Sequence, residues 1–555
     1  MEYVYLLLLL GIVIALCVLI NHVTDRVKIP SLLLFIGLGI LFGVLLRPTI
    51  GNFTDYPLGN VVCSVCLVFV IFFGGFGTNF KEAKPVAPRA LLLSFAGTAL
   101  TAAIVGAGVF AIFRLLPFGN VGLPESMLVG SVLCSTDAAS VFNILRSRRL
   151  NLKYHTSSLL EMESGSNDPV SFMLTAVFVA ILAARNGIGS AFGGWQAAGM
   201  LAAQIGFGAL SGVLFGVLGA FALKKLSFNM GQGGTVWIIA VVFLAYALPS
   251  VLPGIWAGNG YLAVYICGIV LGNAHIPQKR DAVRFFDALT GVAQMIIFFL
   301  LGLLATPEWL IRPQVLLPAL LIFLFMTVVA RPAAVCAILL PFRAKLNQIF
   351  VVSWAGLRGV ASVVFAVYAV SNLGDTLPYD LFSIVFCIVL LSMIVQGTLL
   401  PSLSRKSRMI ADSGDVLRTF NDYQEEGSVS FVKVVVGKNH PWAGRQLKDC
   451  VMPREFLVVL ILRGEEVIVP NGTTQVNAGD LLVTAAPEFE NREEFGMYEE
   501  YLGEGHEYVG KQIKELSLPH GVLIAMIKRS GGTVIPYGAT RLAREDTLVC
   551  IRLSQ

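Results

Sequence analysis

Three carboxylates fall within eight residues of LEMESGSNDPVSF, Leu160–Phe172: Glu161, Glu163 and Asp168. They run directly into SFMLTAVFVAILAA, which is as apolar as the inside of a bilayer. An ionisable group at that depth costs about 2.5–3.5 kcal/mol on insertion scales, and such groups face bundle interiors or watery cavities. Asp137 in CSTDAAS, Arg331 in VVARPAA and Arg358 in WAGLRGVAS sit in apolar runs in the same way. A buried acid with a dedicated arginine stays ionised and is structural, whereas one without such a partner can hold a proton and a cation in turn. Glu163 and Asp168 are five residues apart, about 140° around a helix, so they need not share a task. Two acids and one nearby arginine suggest one paired acid and one working acid. Glu161 is close enough to the end of its span to be solvated. Asn167 adds a neutral oxygen and a donor beside Asp168.

The elements that must hold these groups are membrane helices. Only 14% of the 555 residues are charged, against about 25% in soluble domains. Spans of about 20 apolar residues are expected at 3–20, 29–46, 60–80, 90–113, 125–145, 157–184, 197–223, 234–252, 258–274, 285–304, 313–339, 348–370 and 379–402. The start, MEYVYLLLLLGIVIALCVLI, lacks a basic n-region and reads as a retained first span. Loops on one side carry sixteen Lys and Arg residues and those on the other carry four. Basic loops stay cytoplasmic, which puts the N-terminus outside and, after thirteen spans, the soluble tail inside. Gly208, Gly212 and Gly216 are four apart, a spacing that lets a neighbouring helix approach closely. Cys63 and Cys66 form a lone CxxC in an apolar helix and read as small packing residues. A net charge of +5 gives no ground for a nucleic-acid partner.

Spans 5 and 12 share a texture. GSVLCSTDAASVFN and WAGLRGVASVVFA both break an apolar run with small and polar residues, as the broken helices of secondary transporters do where unwound backbone lines a cavity. They lie seven spans apart, the separation expected of two inverted halves.

MESGSNDPVSF, CSTDAAS and WAGLRGVAS, in that order and in those spans, resemble signature motifs of the NhaP-type branch of the monovalent cation/proton antiporters. The resemblance covers about residues 5–403. It implies an all-α polytopic fold of about thirteen transmembrane helices with inverted repeats and two broken crossing helices, working as a homodimer by an elevator-like movement. It further implies that Asp168 binds cation and proton alternately, with Ser164 and the Thr136 backbone as further cation ligands. Asn167 would hydrogen-bond Asp137 and brace the crossing, and Glu163 would pair with Arg358. Exchange would be electroneutral, in contrast to relatives with Asp-Asp in place of Asn-Asp. The chain departs from many relatives at Phe73, where they carry an acid before the paired glycines, and at Ser166, where an apolar residue is usual.

The tail is a module written twice. HPWAGRQLKDCVMP from His440 aligns with HEYVGKQIKELSLP from His506 at an offset of 66, and the alignment carries Arg463 onto Arg529 and Asp480 onto Asp546 without a gap. Each copy reads as a small β-rich α+β unit with one helix near GRQLKD or GKQIKE. The units resemble TrkA-C (RCK-C) regulatory domains, which implies a cytoplasmic ligand sensor. No strand–GxGxxG–helix unit precedes them, and the matched histidines read as turn residues. The expected division is a transmembrane exchanger domain at 1–405, a linker at 406–430, and TrkA-C-like domains at 431–490 and 497–555.

The sequence therefore points to a bacterial inner-membrane antiporter of K+, or of Na+, for H+. It is expected to need no cofactor and to answer to a small-molecule regulator at the tail. Potassium is favoured through the tail alone, and the site itself suits sodium equally. A tail-gated cation channel is the rival of another class, but an open pore has no need of a carboxylate–arginine pair beside a lone titrating acid. No His/Asp/Glu cluster or Ser/His pair crosses the spans to suggest an enzyme.

Overall fold

The computed structural model describes residues 11–12, 15–16, 18–19, 31–50, 55–118, 121–148, 150–188, 192–225, 233–274, 276, 279–410, 429–437, 440, 442–450, 457–464, 466–487, 495–503, 506–516, 518, 522–529, 532–534, 536 and 538–553. The chain divides into two compact units, Met1–Glu425 and Glu426–Gln555. The first expected span, 3–20, and the 406–430 linker lie largely outside the described residues.

The first unit is helical. Its helices are α1 (Ser31–Ile50), α2 (Tyr56–Gly77), α3 (Ala87–Leu115), α4 (Leu123–Leu133), α5 (Ala138–Ser147), α6 (Thr156–Arg185), α7 (Gly194–Lys225), α8 (Gly233–Ser250), α9 (Gly260–Asn273), α10 (Lys279–Leu304), α11 (Pro313–Leu339), α12 (Leu346–Trp354), α13 (Val360–Leu373) and α14 (Leu381–Lys406). Ten segments among the described residues are long and apolar enough to cross a membrane, and Leu32–Leu45 and Val360–Leu373 are shorter apolar helices. Twelve of the thirteen expected spans thus coincide with helical segments.

Two spans are interrupted where the sequence mixes small and polar residues. Cys134–Asp137 separates α4 from α5, and Ala355–Gly359 separates α12 from α13. Three others contain a π-helical turn: Leu93–Gly97 in α3, Met326–Ala330 in α11 and Ser392–Gln396 in α14. Such turns widen a helix locally and recur at functional sites. On α7, Gly208, Gly212 and Gly216 lie against Asn259, Ala263 and Val270. This is the close packing that their spacing suggested, with α9 as the partner.

The second unit holds two four-stranded antiparallel sheets of one topology. β1 (Val429–Val435), β2 (Leu457–Arg463), β3 (Glu466–Ile468) and β4 (Leu481–Pro487) are ordered β1-β4-β2-β3. β5 (Phe495–Tyr501), β6 (Val522–Arg529), β7 (Gly532–Val534) and β8 (Thr547–Leu553) are ordered β5-β8-β6-β7. The helix expected in each copy is a single 3-10 turn, Leu447–Asp449 and Ile513–Glu515. The arginine and aspartate that the repeat aligns form a two-pronged ion pair in each sheet. Arg463 Nε and Nη2 donate to Asp480 Oδ1 and Oδ2 at 2.8 Å each, and Arg529 does the same to Asp546 at 2.7 and 2.6 Å. These arginines hold both carboxyls below the usual carboxylate range. His440 and His506 each turn Nδ1 to a backbone N–H two residues on, at 3.2 and 3.3 Å, a turn role as expected.

Candidate functional site

Helix periodicity sorts the residues of α6. Glu161, Ser164, Gly165 and Asp168 are partly exposed, while Glu163 and Asn167 are buried. The first set lines a cavity of about 620 Å³. Asn143 on α5 and Asp287 on α10 line it as well, towards the basic-loop ends of their helices, whereas Asp168 lies about 18 Å along α6 from its first residue. Pro169 lacks an N–H, so the Gly165 carbonyl on this wall loses its usual i+4 donor. It is a further acceptor near Asp168 that the sequence reading passed over.

Asp168 accepts from the Ser135 hydroxyl and has no ion-pair partner among the described residues. Ser135 comes from the break between α4 and α5, and its carbonyl accepts from Arg358 Nη1 at 2.7 Å. One serine thus joins the lone acid to the arginine of the other break. In the sequence this serine is one small residue of CSTDAAS, with nothing to mark it as a link.

The remaining groups fasten the breaks together. The Ser164 hydroxyl donates to the Thr136 carbonyl at 2.7 Å and accepts from the Ala138 N–H at 2.9 Å. These two expected cation ligands therefore meet, and the carbonyl keeps a second lone pair for an ion. The Asp137 N–H donates to the Leu357 carbonyl at 2.8 Å, directly joining the two interruptions. Asp137 itself caps α5, accepting from Ser140 N–H and Oγ at 3.1 and 2.6 Å, the usual use of an aspartate at an N-cap. Its carboxylate lies against Gly359, where any side chain would collide with it.

Two expected contacts are corrected. Asn167 does not reach Asp137; its Nδ2 donates to Thr136 Oγ1 at 2.6 Å, and its Oδ1 accepts from the Thr136 N–H at 3.4 Å. The break is braced through its threonine because the Asp137 carboxylate is engaged in capping. Glu163 pairs with Arg331 on α11 and not with Arg358: Arg331 Nη2 donates to Oε1 at 2.6 Å, with both side chains at most 2% exposed. Arg358 is turned instead towards Ser135.

All three π-helical turns meet this assembly. Ser94, in the turn of α3, donates to the Glu163 carbonyl at 3.0 Å. Arg331 follows directly on the turn of α11. Ser392, in the turn of α14, accepts from the Arg358 N–H at 3.0 Å.

On α10 the same cavity is lined by Asp287, Thr290 and Gln294 at i, i+3 and i+7. The spacing matches that of Glu161, Ser164 and Asp168 on α6. This stripe is legible in DALTGVAQ as one helical face inside the expected span 285–304, although nothing in the span itself marks it as part of the site. Phe73 lines the same cavity and contributes an apolar ring to it. Ser166 is buried behind the wall, bonded to the Met162 carbonyl and the Tyr265 hydroxyl. Among the described residues no cluster of three His, Cys, Asp or Glu side chains could hold a metal ion in common.

Comparison with known proteins places this arrangement. The transmembrane sodium/hydrogen exchanger family matches residues 12–406, and the TrkA-C domain matches 431–488 and 497–551. The chain is 31% identical over 490 residues to the K(+)/H(+) antiporter NhaP2 of Shewanella oneidensis, covering 85% of this chain and 80% of that protein. It is 29% identical over 462 residues to the K(+)/H(+) antiporter NhaP of Alkalimonas amylolytica, covering 82% and 76%. The structure of the sodium proton antiporter MjNhaP1 of Methanocaldococcus jannaschii superposes with a TM-score of 0.62 at 23% identity, covering 73% of this chain and 99% of that one. That likeness speaks for the fold.

Proposed function

The chain belongs to the sodium/hydrogen exchanger family, and from that premise we propose that it is a secondary antiporter exchanging a monovalent cation, with K+ preferred, for H+. The carrying observation is Asp168: a carboxylate on the wall of a cavity, touched by a serine hydroxyl and by no cationic side chain among the described residues. A proton or a dehydrated cation satisfies such a group, but not both at once. Competition for one carboxylate couples the two flows. Ser164, the Thr136 carbonyl and the Gly165 carbonyl supply neutral oxygens around the ion. Asn167 and Asp137 hold the breaks in register, and the Glu163–Arg331 pair and Arg358 fix the helices behind them. With asparagine at 167 the exchange of one cation for one proton moves no net charge.

The preference for K+ rests on the relatives named as K(+)/H(+) antiporters and on the TrkA-C tail. A Na+/H+ antiporter with the same site is the second reading, favoured by the relative named Na(+)/H(+) antiporter 1 of Methanocaldococcus jannaschii, 25% identical over 367 residues. The charge of the loops supports a cytoplasmic tail and an outward N-terminus, in a bacterial inner membrane. The working form is a homodimer whose rate the tail adjusts in response to a small molecule.

The test uses inside-out vesicles holding an acid-inside gradient, read by a quenched amine dye, with K+, Na+ and Li+ added separately. K+ should dissipate the gradient in wild type and not in Asp168→Asn. Dissipation by Na+ alone keeps the mechanism and overturns the preference. Normal exchange by Asp168→Asn removes that carboxylate from the mechanism.

A further inference from the structure

The chain leaves the membrane unit through residues that are bonded to the loop feeding α6. After α14, Ser407–Met409 turns back on itself, with Arg408 in the left-handed region at φ 56° and Met409 fully buried. The next residue, Ile410, forms an isolated antiparallel bridge with Leu152, and the Lys153 N–H donates to the Met409 carbonyl at 2.8 Å. Leu152 is three residues before the second of two consecutive left-handed non-glycines, Tyr154 at φ 62° and His155 at φ 53°. Side chains rarely adopt that region, and a run of two is kept only where neighbours enforce it. α6 begins immediately afterwards at Thr156, and Asp168 lies about 18 Å along it.

The enforcing neighbours come from the first turn of α12. Lys345 Nζ donates to the Tyr154 hydroxyl at 2.9 Å, and Gln348 Nε2 donates to Thr156 Oγ1 at 3.1 Å and to the Tyr154 carbonyl at 3.4 Å. Asn347 Nδ2 donates to the Ser407 carbonyl at 2.9 Å. One turn therefore grips both the entrance to α6 and the exit from α14. α12 itself runs into the break that carries Arg358. Both helices that shape the site are thus anchored at one joint, and the joint includes the last described residue before the tail.

We propose that this joint is the coupling element through which the tail sets the transport rate: force on the chain at Ile410 loosens or tightens the Leu152–Ile410 bridge, and with it the strained start of α6. This rests on the reading that the tail regulates exchange. The bridge suits such a role because it is short. A single bridge between two loops opens without unfolding either unit, and low-stability contacts of this kind are the ones that switches use.

The experiment locks the joint in the full-length chain. Partners on an antiparallel bridge have Cα atoms about 4.5–5.5 Å apart, within the range a disulfide spans, so Leu152→Cys/Ile410→Cys closes on oxidation and reopens on reduction. The tail is perturbed by Arg463→Ala, which breaks the ion pair of the first sheet. A separate variant inserts ten Gly/Ser residues after Ala411 and leaves both sheets intact. The readout is the initial rate of K+-driven, or otherwise Na+-driven, dissipation of the vesicle gradient, with the parental chain under the same redox treatment as control. In the reduced pair variant each tail perturbation should change the rate about fivefold or more, and in the oxidised one neither should change it. An equal change in both redox states overturns the coupling and leaves tail regulation standing. If neither perturbation has an effect in the reduced or the parental chain, tail regulation fails and the coupling falls with it.

Discussion

Replacing Arg331 by methionine leaves Glu163 as a buried charge without its partner. The pair is joined by one contact of 2.6 Å with both side chains nearly inaccessible, so water cannot take over the role of the lost guanidinium. Removing one member of such a pair costs about 3–5 kcal/mol, or about two to four orders of magnitude in the folded-to-unfolded ratio. Arg358→Met should cost less. Among the described residues Arg358 makes no ion pair, and its side chain donates to one neutral carbonyl, a bond worth about 1.5–3 kcal/mol, part of which is returned when the buried charge goes. The double variant Glu163→Met/Arg331→Met should recover at least half of the single loss. The pair is incompletely satisfied: Glu163 Oε2 and Arg331 Nε and Nη1 have no hydrogen-bond partner among the described residues. The assay is the fraction of purified full-length protein that stays monodisperse after heating in detergent, across a temperature series. The reasoning fails if Arg331→Met melts with wild type while Arg358→Met takes the full loss. Glu163 would then belong to Arg358.

Other expectations can be checked in the same vesicles and preparations. Asp287→Asn removes one charge from the cavity that Asp168 also lines; a unit charge acting through water contributes at most about 1 kcal/mol, so the cation KM should rise by no more than about fivefold with the maximal rate little changed, and an abolished rate would make Asp287 part of the exchange step. Gly359→Ala drives a methyl into the Asp137 carboxylate and should abolish exchange or assembly, whereas full activity would mean that the crossing yields. In the tail, Asp480 and Asp546 have folded pKa values below their unfolded ones because arginine bonds favour the ionised form. Their stabilisation is therefore complete above the unfolded value of about 3.9 and disappears as pH falls through the folded values. Protease resistance of the tail in the full-length chain should stay flat from about pH 5 to 8 and drop only below about pH 4; a decline near neutrality would point to other groups.

The sequence carried the site further than it carried the contacts. Apolar runs interrupted by CSTDAAS and WAGLRGVAS located both breaks, because unwound backbone needs small and polar residues. The offset of 66 in the tail placed Arg463 over Arg529 and Asp480 over Asp546, and their pairing in both sheets follows from that repeat. Which arginine meets Glu163 was not legible. Spacing along α6 tells which way an acid points, and not which helix crosses there. Arg331 was visible as a charge in an apolar span, but the π-helical turn just before it has no clear mark in MTVVA. Asn167 and Asp137 went the same way: Asp137, at the start of α5, is drawn into capping, and only the helix boundary reveals that it is occupied.

The bond from the Asp137 N–H to the Leu357 carbonyl also bears on how such a chain could have arisen. Within the hydrocarbon layer an unpaired amide costs several kcal/mol, so a single interruption would have been a defect awaiting repair. Two interruptions that meet offset part of that cost: the Leu357 carbonyl takes the Asp137 N–H, and the Ser135 carbonyl takes the Arg358 side chain. Substitutions that reshape CSTDAAS should be accepted only alongside matching changes in WAGLRGVAS, and a chimaera that swaps one segment with a distant relative should fail where a chimaera that swaps both succeeds.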